Sequence, residues 1–214
     1  MKSILIIGVG QFGSHVSRRL NELPCEVMAI DISEERINEI LPFVDNAQIG
    51  DCTNEEFMRS LGVRNYDVCI VSIGGLFQTS LEATALVKEL GSPKVISRAT
   101  NDVQMKFLLR NGADEVIYPE KHMAIRVATR CASDSILDFV QLDDNHAIYE
   151  MITPKKWSGK SLAQLDVRKK FGINIIALKE GDKVTVPIAD TIMHEGDIVF
   201  AIGEEKKIQK CFNV

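Results

Sequence analysis

The chain has 214 residues, 45% of them hydrophobic, and carries 25 Lys and Arg against 30 Asp and Glu, a formal net charge of −5. This composition supports a sizeable core and excludes a disordered or collagen-like chain. The acidic balance excludes the basic field of a dedicated nucleic-acid binder, so no nucleic-acid partner is expected. No apolar run reaches the roughly 18 residues that cross a bilayer, and residues 4–7 are too short for the apolar region of a signal peptide. A cytoplasmic protein without direct membrane insertion is expected.

Short, β-branched apolar runs at 4–7, 27–30, 47–49, 68–72, 95–97 and 115–117 predict parallel strands buried on both faces. Helical patterns fall between them at 12–22, 34–41, 54–60, 77–90 and 102–111. Ser33 and Thr53 stand where N-caps belong, Thr53 with Glu56 three residues on. Strand–helix units repeated in this order predict an α/β fold, a Rossmann-like doubly wound parallel sheet with right-handed crossovers.

The rhythm changes after Pro119. Residues 121–142, without internal Gly or Pro, predict one long helix, and Asp143-Asp144-Asn145 a polar break. Beyond it, 147–152, 173–178, 183–186 and 197–202 read as strands, and 161–171 and 204–212 as helices. Gly181-Asp182 is a hairpin signal, and Pro187 belongs at a strand end. The pattern divides the chain into a nucleotide-binding domain, 1–142, whose last helix links the two lobes, and a small C-terminal α+β domain, 143–214. The second is marginal alone at about 70 residues and is expected to pair with another copy or to pack on the first.

The strongest chemical signal is Gly8-Val9-Gly10-Gln11-Phe12-Gly13, between the first strand and the first helix. Gly8 permits the tight turn, Gly10 the close approach of backbone to a pyrophosphate, and Gly13 close helix–strand packing. Gln11 and Phe12 open the helix, whose free N–H groups face a phosphate. Asp31 closes the second strand, where a carboxylate accepts hydrogen bonds from ribose hydroxyls and repels a 2′-phosphate. Ligands of such sheets sit beyond the carboxyl ends of the strands. That position adds Asp51 and Cys52 after the third strand, Ser72, Ile73 and Gly74 after the fourth, and Arg98 at the end of the fifth. Asp51 reads equally as a helix cap, and Arg98 also as a surface cation. An acid beside Cys52 raises rather than lowers its thiol pKa, against a redox role.

The five cysteines are scattered without a CxxC pair, so they suggest buried thiols rather than a disulfide framework or zinc site. The four histidines have no evident acid partner or nucleophile. GxSxG, HExxH and a Walker lysine are missing. A nucleotide-binding lobe with a small β-rich companion points to sensing rather than turnover. The rival reading is a small NAD-dependent oxidoreductase.

Residues 4–13, Asp31, Gly50-Asp51-Cys52-Thr53, Ser72-Ile73-Gly74 and Tyr118-Pro119-Glu120-Lys121 together resemble the cytosolic regulatory subunits of Trk/Ktr-type potassium uptake systems. These are RCK domain proteins (regulators of potassium conductance), and the likeness covers essentially the whole chain. It implies a non-enzymatic homodimer that assembles into a homo-octameric ring beneath a membrane potassium-translocating subunit. It implies ATP or ADP, or NAD(H), at the glycine loop and Asp31, with nucleotide exchange gating the membrane partner. Relatives often carry Arg where this chain has Gln11; a neutral Gln donates a hydrogen bond without charge, which implies weak discrimination of ATP from ADP there.

The resemblance also matches Glu120 to an acid that faces its symmetry mate. Two such carboxylates would hold a divalent cation or sodium between them; the alternative is an ordinary helix N-terminal acid. In the C-terminal lobe it matches Arg168, Asn174, Ile175, Ile176 and Pro187 to positions that take cyclic di-AMP between two copies. Arg168 would pair with phosphate, Asn174 with base or ribose, and the apolar residues would flank adenine.

Overall fold

A computed structural model describes residues Met1–Asn213. The chain forms two compact units, one of Met1–Glu120 and one from Lys121 onward.

In the first unit the strands are β1 (Lys2–Ile7), β2 (Cys25–Asp31), β3 (Asn46–Ile49), β4 (Val68–Val71), β5 (Val95–Arg98) and β6 (Glu115–Ile117). Between them run α1 (Gln11–Asn21), α2 (Glu34–Ile40), α3 (Glu55–Ser60), α4 (Phe77–Glu89) and α5 (Asp102–Arg110). The strands pair in the order β3-β2-β1-β4-β5-β6, all parallel. The order reverses between β1 and β4, which leaves a crevice beyond their carboxyl ends.

Strand periodicity explains why β1 carries no polar face. Leu5 and Ile7 pack with Met28, Ile30, Cys69 and Val71, whereas Ile4 and Ile6 pack with Val27, Ala29, Ile37 and Ile40. Successive side chains point to opposite faces, and both faces are covered by helices. Burying each of the Val, Leu, Ile and Met side chains among these contributes about 1.5–3 kcal/mol. Ser33 caps α2 by accepting from Arg36 N–H at 3.4 Å. Thr53 does not cap α3; Asn54 does, accepting from Phe57 N–H at 2.9 Å. Asp51 draws Thr53 into a local turn and shifts the helix start by one residue.

The second unit is reached through α6 (Pro119–Cys131) and contains β7 (Ile136–Gln141), β8 (His146–Ile152), α7 (Leu162–Leu165), α8 (Val167–Phe171), β9 (Asn174–Glu180), β10 (Lys183–Thr185), β11 (Ile198–Glu204) and α9 (Glu205–Phe212). Its antiparallel sheet has the order β10-β9-β11-β8-β7. Gly181, at φ 57°, turns β9 into β10 as the hairpin signal requires. The core gathers Tyr149, Met151, Ile173, Leu178, Met193 and Val199, with the Trp157 and Phe212 rings 4.8 Å apart.

Three expectations are corrected. The long helix over 121–142 stops at Cys131, and residues 136–141 form β7 instead. Ile136 and Phe139 are buried in the second core, and the ladder to β8 satisfies the backbone there; pairing outweighs a helical pattern. The helix over 161–171 is broken at Asp166, which takes a left-handed conformation at φ 50°. The division of the chain follows Glu120 rather than 142–145, because β7 belongs to the second sheet.

Candidate functional site

The site is built around the exit of β1. Gly8 has φ 88°, which favours glycine, and its N–H donates to the Ile30 carbonyl at 2.8 Å. A Cβ on Gly13 would collide with the Gly8 carbonyl oxygen, so α1 can approach β1 this closely only with glycine there. Gly10 is the N-cap of α1, with no side chain satisfying the first turn, and a Cβ there would meet nothing within 4 Å. That open side of Gly10 is where a phosphate would approach the amides of Gln11, Phe12 and Gly13.

Asp31 is buried, 6% exposed. Its Oδ2 accepts from Val9 N–H and its Oδ1 from Ser33 N–H, both at 2.9 Å. Arg36 Nη1 lies 3.5 Å from Oδ2. The carboxylate thus fixes the glycine loop and the start of α2, and each oxygen keeps acceptor capacity for a ligand hydroxyl. Ser72 is buried and donates to the Gly8 carbonyl, while its N–H donates to Ile7 at 2.9 Å. Ser72 is therefore a clamp between β4 and the loop. The Ile73 side chain is the nearest neighbour that a Cβ on Gly8 would meet, at 3.1 Å.

A cavity of about 630 Å³ opens beside Asp31. Asp51, Cys52 and Ile73 line it, as the sequence pattern expects, and so do Ile32, Arg36, Phe77 and Glu82. Asp51 accepts from Thr53 N–H at 2.9 Å and from its hydroxyl at 2.8 Å. These bonds, the backbone one first, hold its carboxyl below the usual carboxylate range. It forms an Asx turn and not a helix cap. Burial, then the charge of Asp51, pushes the Cys52 thiol up to about 11, so it stays protonated near neutral pH.

Arg98 is no free surface cation. It forms an ion pair with Glu120, and its guanidinium carbon lies 5.7 Å from the centre of the Phe12 ring. A Cβ on Gly74 would stand 2.6 Å from its Nη1. Arg98, Phe12, Gly74 and Glu120 form one group beside the start of α1. Burial alone would raise the Glu120 carboxyl, but its own backbone N–H and Arg98 outweigh that and hold it below the usual range. Among the described residues, no group of three or more His, Cys, Asp or Glu side chains is placed to hold a metal ion. One carboxylate already matched by a guanidinium does not fit a cation within a single chain.

In the second unit a hollow of about 340 Å³ is lined by Arg168, Asn174, Ile175 and Pro187, with Asp166 and Ile188 among its other walls. Ile176 is not among its walls and is exposed. Ile175 also packs on the core.

Arg36, Phe77 and Glu82 were not legible as site residues, nor was the pairing of Arg98 with Glu120. Arg36 could have been found one helical turn beyond Asp31, because α2 starts directly after it. The others depend on which strand ends the topology brings together.

A parallel Rossmann-like lobe with this loop, followed by a small antiparallel lobe, defines the class of RCK-type proteins. Residues 4–119 match the TrkA-N domain and residues 147–213 the TrkA-C domain. The chain is 39% identical to Ktr system potassium uptake protein C of Bacillus subtilis over 98% of its length and 95% of that protein's. It is 35% identical to Ktr system potassium uptake protein A of the same organism, over 99% and 96%. Its fold matches the RCK domain of GsuK at a TM-score of 0.71 and 18% identity, covering 99% of this chain and 47% of that one. The chain thus spans about half of that structure's length. The chain belongs to the TrkA-N/TrkA-C family of potassium uptake proteins. No helix among the described residues is long and apolar enough to cross a membrane.

Proposed function

We propose that the chain is a cytoplasmic regulatory subunit that binds an adenine nucleotide at the Gly8–Gly13 loop and controls a separate membrane subunit of a potassium uptake system. The observation that carries this reading is the open space at Gly10, in front of unsatisfied helix amides and next to buried Asp31. The cavity beside Asp31 suits a nucleoside, with Asp51, Cys52 and Ile73 among its walls. Ser72, Ile73 and Gly74 support the loop, and Arg98 supplies positive charge. Binding, not turnover, is the role, and the likeness to potassium uptake proteins supports it.

Control requires that the ligand bind two arrangements of the assembled subunits unequally, since only differential affinity shifts a population. A dimer-based ring, octameric in the family reading, supplies such arrangements. A solved GsuK channel bound to NAD shares the fold at a TM-score of 0.68 and 17% identity. That protein's ligand motivates including NAD and NADH beside ATP and ADP. The decisive measurement is a thermal-shift panel with ATP, ADP, NAD and NADH, followed by gel filtration with each stabilising ligand. At least one adenine nucleotide should raise Tm and change the elution of a large assembly. A chain that no member of the panel stabilises, and that elutes as a monomer, overturns the reading.

A second reading concerns the hollow of Arg168, Asn174, Ile175 and Pro187. Its volume lies near the lower end for small-molecule sites, about 300–1,000 Å³, and fits half of a symmetric ligand such as cyclic di-AMP shared by two copies. Calorimetry of the full chain with cyclic di-AMP tests it. Absence of heat at micromolar protein rejects it.

A further inference from the structure

The Arg98–Glu120 pair is unequal. The Arg98 side chain is only 19% exposed, held between the Phe12 ring and the Gly74 backbone, whereas Glu120 is 55% exposed. Arg98 Nε is buried and has no hydrogen-bond partner among the described residues. Packing therefore fixes the cation beside the first turn of α1, and the acid reaches it from the first turn of α6. Glu120 does not need Arg98 to stay ionised, because the N-terminus of α6 favours a negative charge by itself. Arg98, in contrast, meets no second carboxylate among the described residues. A guanidinium presents a rigid fork of donors that matches one carboxylate or one phosphate at a time.

We propose that Glu120 is a specificity-determining residue of the nucleotide site: it competes with phosphate for Arg98, and so sets how much more tightly a phosphorylated nucleotide binds than the bare nucleoside. This rests on the nucleotide reading of the glycine loop. When a phosphate takes the guanidinium, the Glu120 carboxylate is released to solvent at the start of α6. Adenosine lacks phosphate, leaves the pair intact and is indifferent to Glu120. The chain thus carries an internal anion that lowers its affinity for phosphorylated ligands, and the affinity returns when that anion is neutralised.

Calorimetry of the full chain with ADP and with adenosine, in EDTA to remove divalent cations, tests this. Glu120→Gln should tighten ADP by about threefold to fivefold, the scale of a solvent-exposed ion pair, and leave adenosine unchanged. Arg98→Gln should abolish the excess affinity of ADP over adenosine, and adding Glu120→Gln to it should then change nothing, the signature of one coupled pair. Glu120→Ala gives the same direction if the Gln variant folds poorly. An ADP-to-adenosine ratio unmoved by Glu120→Gln overturns the inference while the nucleotide reading stands. Weaker ADP binding in that variant overturns it too, and so does a loss seen only with added calcium or magnesium, which assigns Glu120 to a cation. A wild-type chain that binds neither ligand overturns the nucleotide reading and this inference with it.

Discussion

Gly13 and Gly10 share a motif but not a physical role. A Cβ at residue 13 collides with the Gly8 carbonyl oxygen and also meets Ser72 Oγ at 2.6 Å. Gly13→Ala should therefore destabilise the fold by about 1–3 kcal/mol, the range for overpacking a tight core, read as a lower Tm without ligand. A Cβ at residue 10 meets nothing within 4 Å, and the backbone there is ordinary, at φ −63°. Gly10→Ala should leave the unliganded Tm nearly unchanged and remove the thermal shift produced by ADP. Equal losses of stability in both variants would contradict this division. Asp31→Ala should be costly in either state, because the buried Val9 N–H loses its acceptor at about 1–3 kcal/mol. The motif's spacing already assigned these two roles in the sequence; the structure supplies the contacts, with the Gly8 carbonyl and Ser72 against residue 13 and open space at residue 10.

At the scale of elements, single carboxylates join neighbours. Asp114 accepts from Lys88 Nζ at 2.7 Å and from Val95 N–H at 2.7 Å, which ties α4 to β5 at the entry of β6. The bond from Lys88, then that from Val95, holds its carboxyl below the usual range. A carboxyl lowered on folding stabilises fully above its unfolded pKa, and the contribution disappears as pH falls through the folded value. Asp114→Asn should lower Tm at pH 7, and the gap from wild type should close as pH drops below about 4. A gap constant down to pH 3 would show that Asp114 acts without its charge. Asp138 does the same in the second unit, where Arg126 Nε donates to it at 2.6 Å and joins α6 to β7. The missed strand has a different cause, its pairing with β8. Residues 136–141 carry a helix-compatible sequence, but their backbone partner, β8, follows later in the chain.

At the scale of the molecule, the surface carries more large apolar side chains than a solitary chain needs. Leu76, Phe77, Val103, Phe107 and Leu109 are exposed on α4, α5 and the turn before α4, with the Phe77 and Phe107 rings edge to face at 6.1 Å. An exposed pair of aromatic rings with apolar neighbours on the same helices suits an interaction face. Phe107→Glu should lower the assembled mass in sedimentation velocity while ADP still raises Tm, because Phe107 does not line the cavity. An unchanged mass would remove this face from the assembly.

The sequence by itself determined the alternation of strands and helices to residue 117, the glycine loop and its acid, and the mixed character of the C-terminal part. Those features are local: side-chain periodicity and backbone freedom act within a few residues. Tertiary structure decided where the first unit ends, that 136–141 is a strand, that Asp166 breaks a helix, and that Arg98 faces Glu120. Each depends on packing rather than on local pattern: Arg98 and Glu120 meet only after β5 and β6 have been laid side by side, and 136–141 becomes a strand by pairing with β8 in the second sheet.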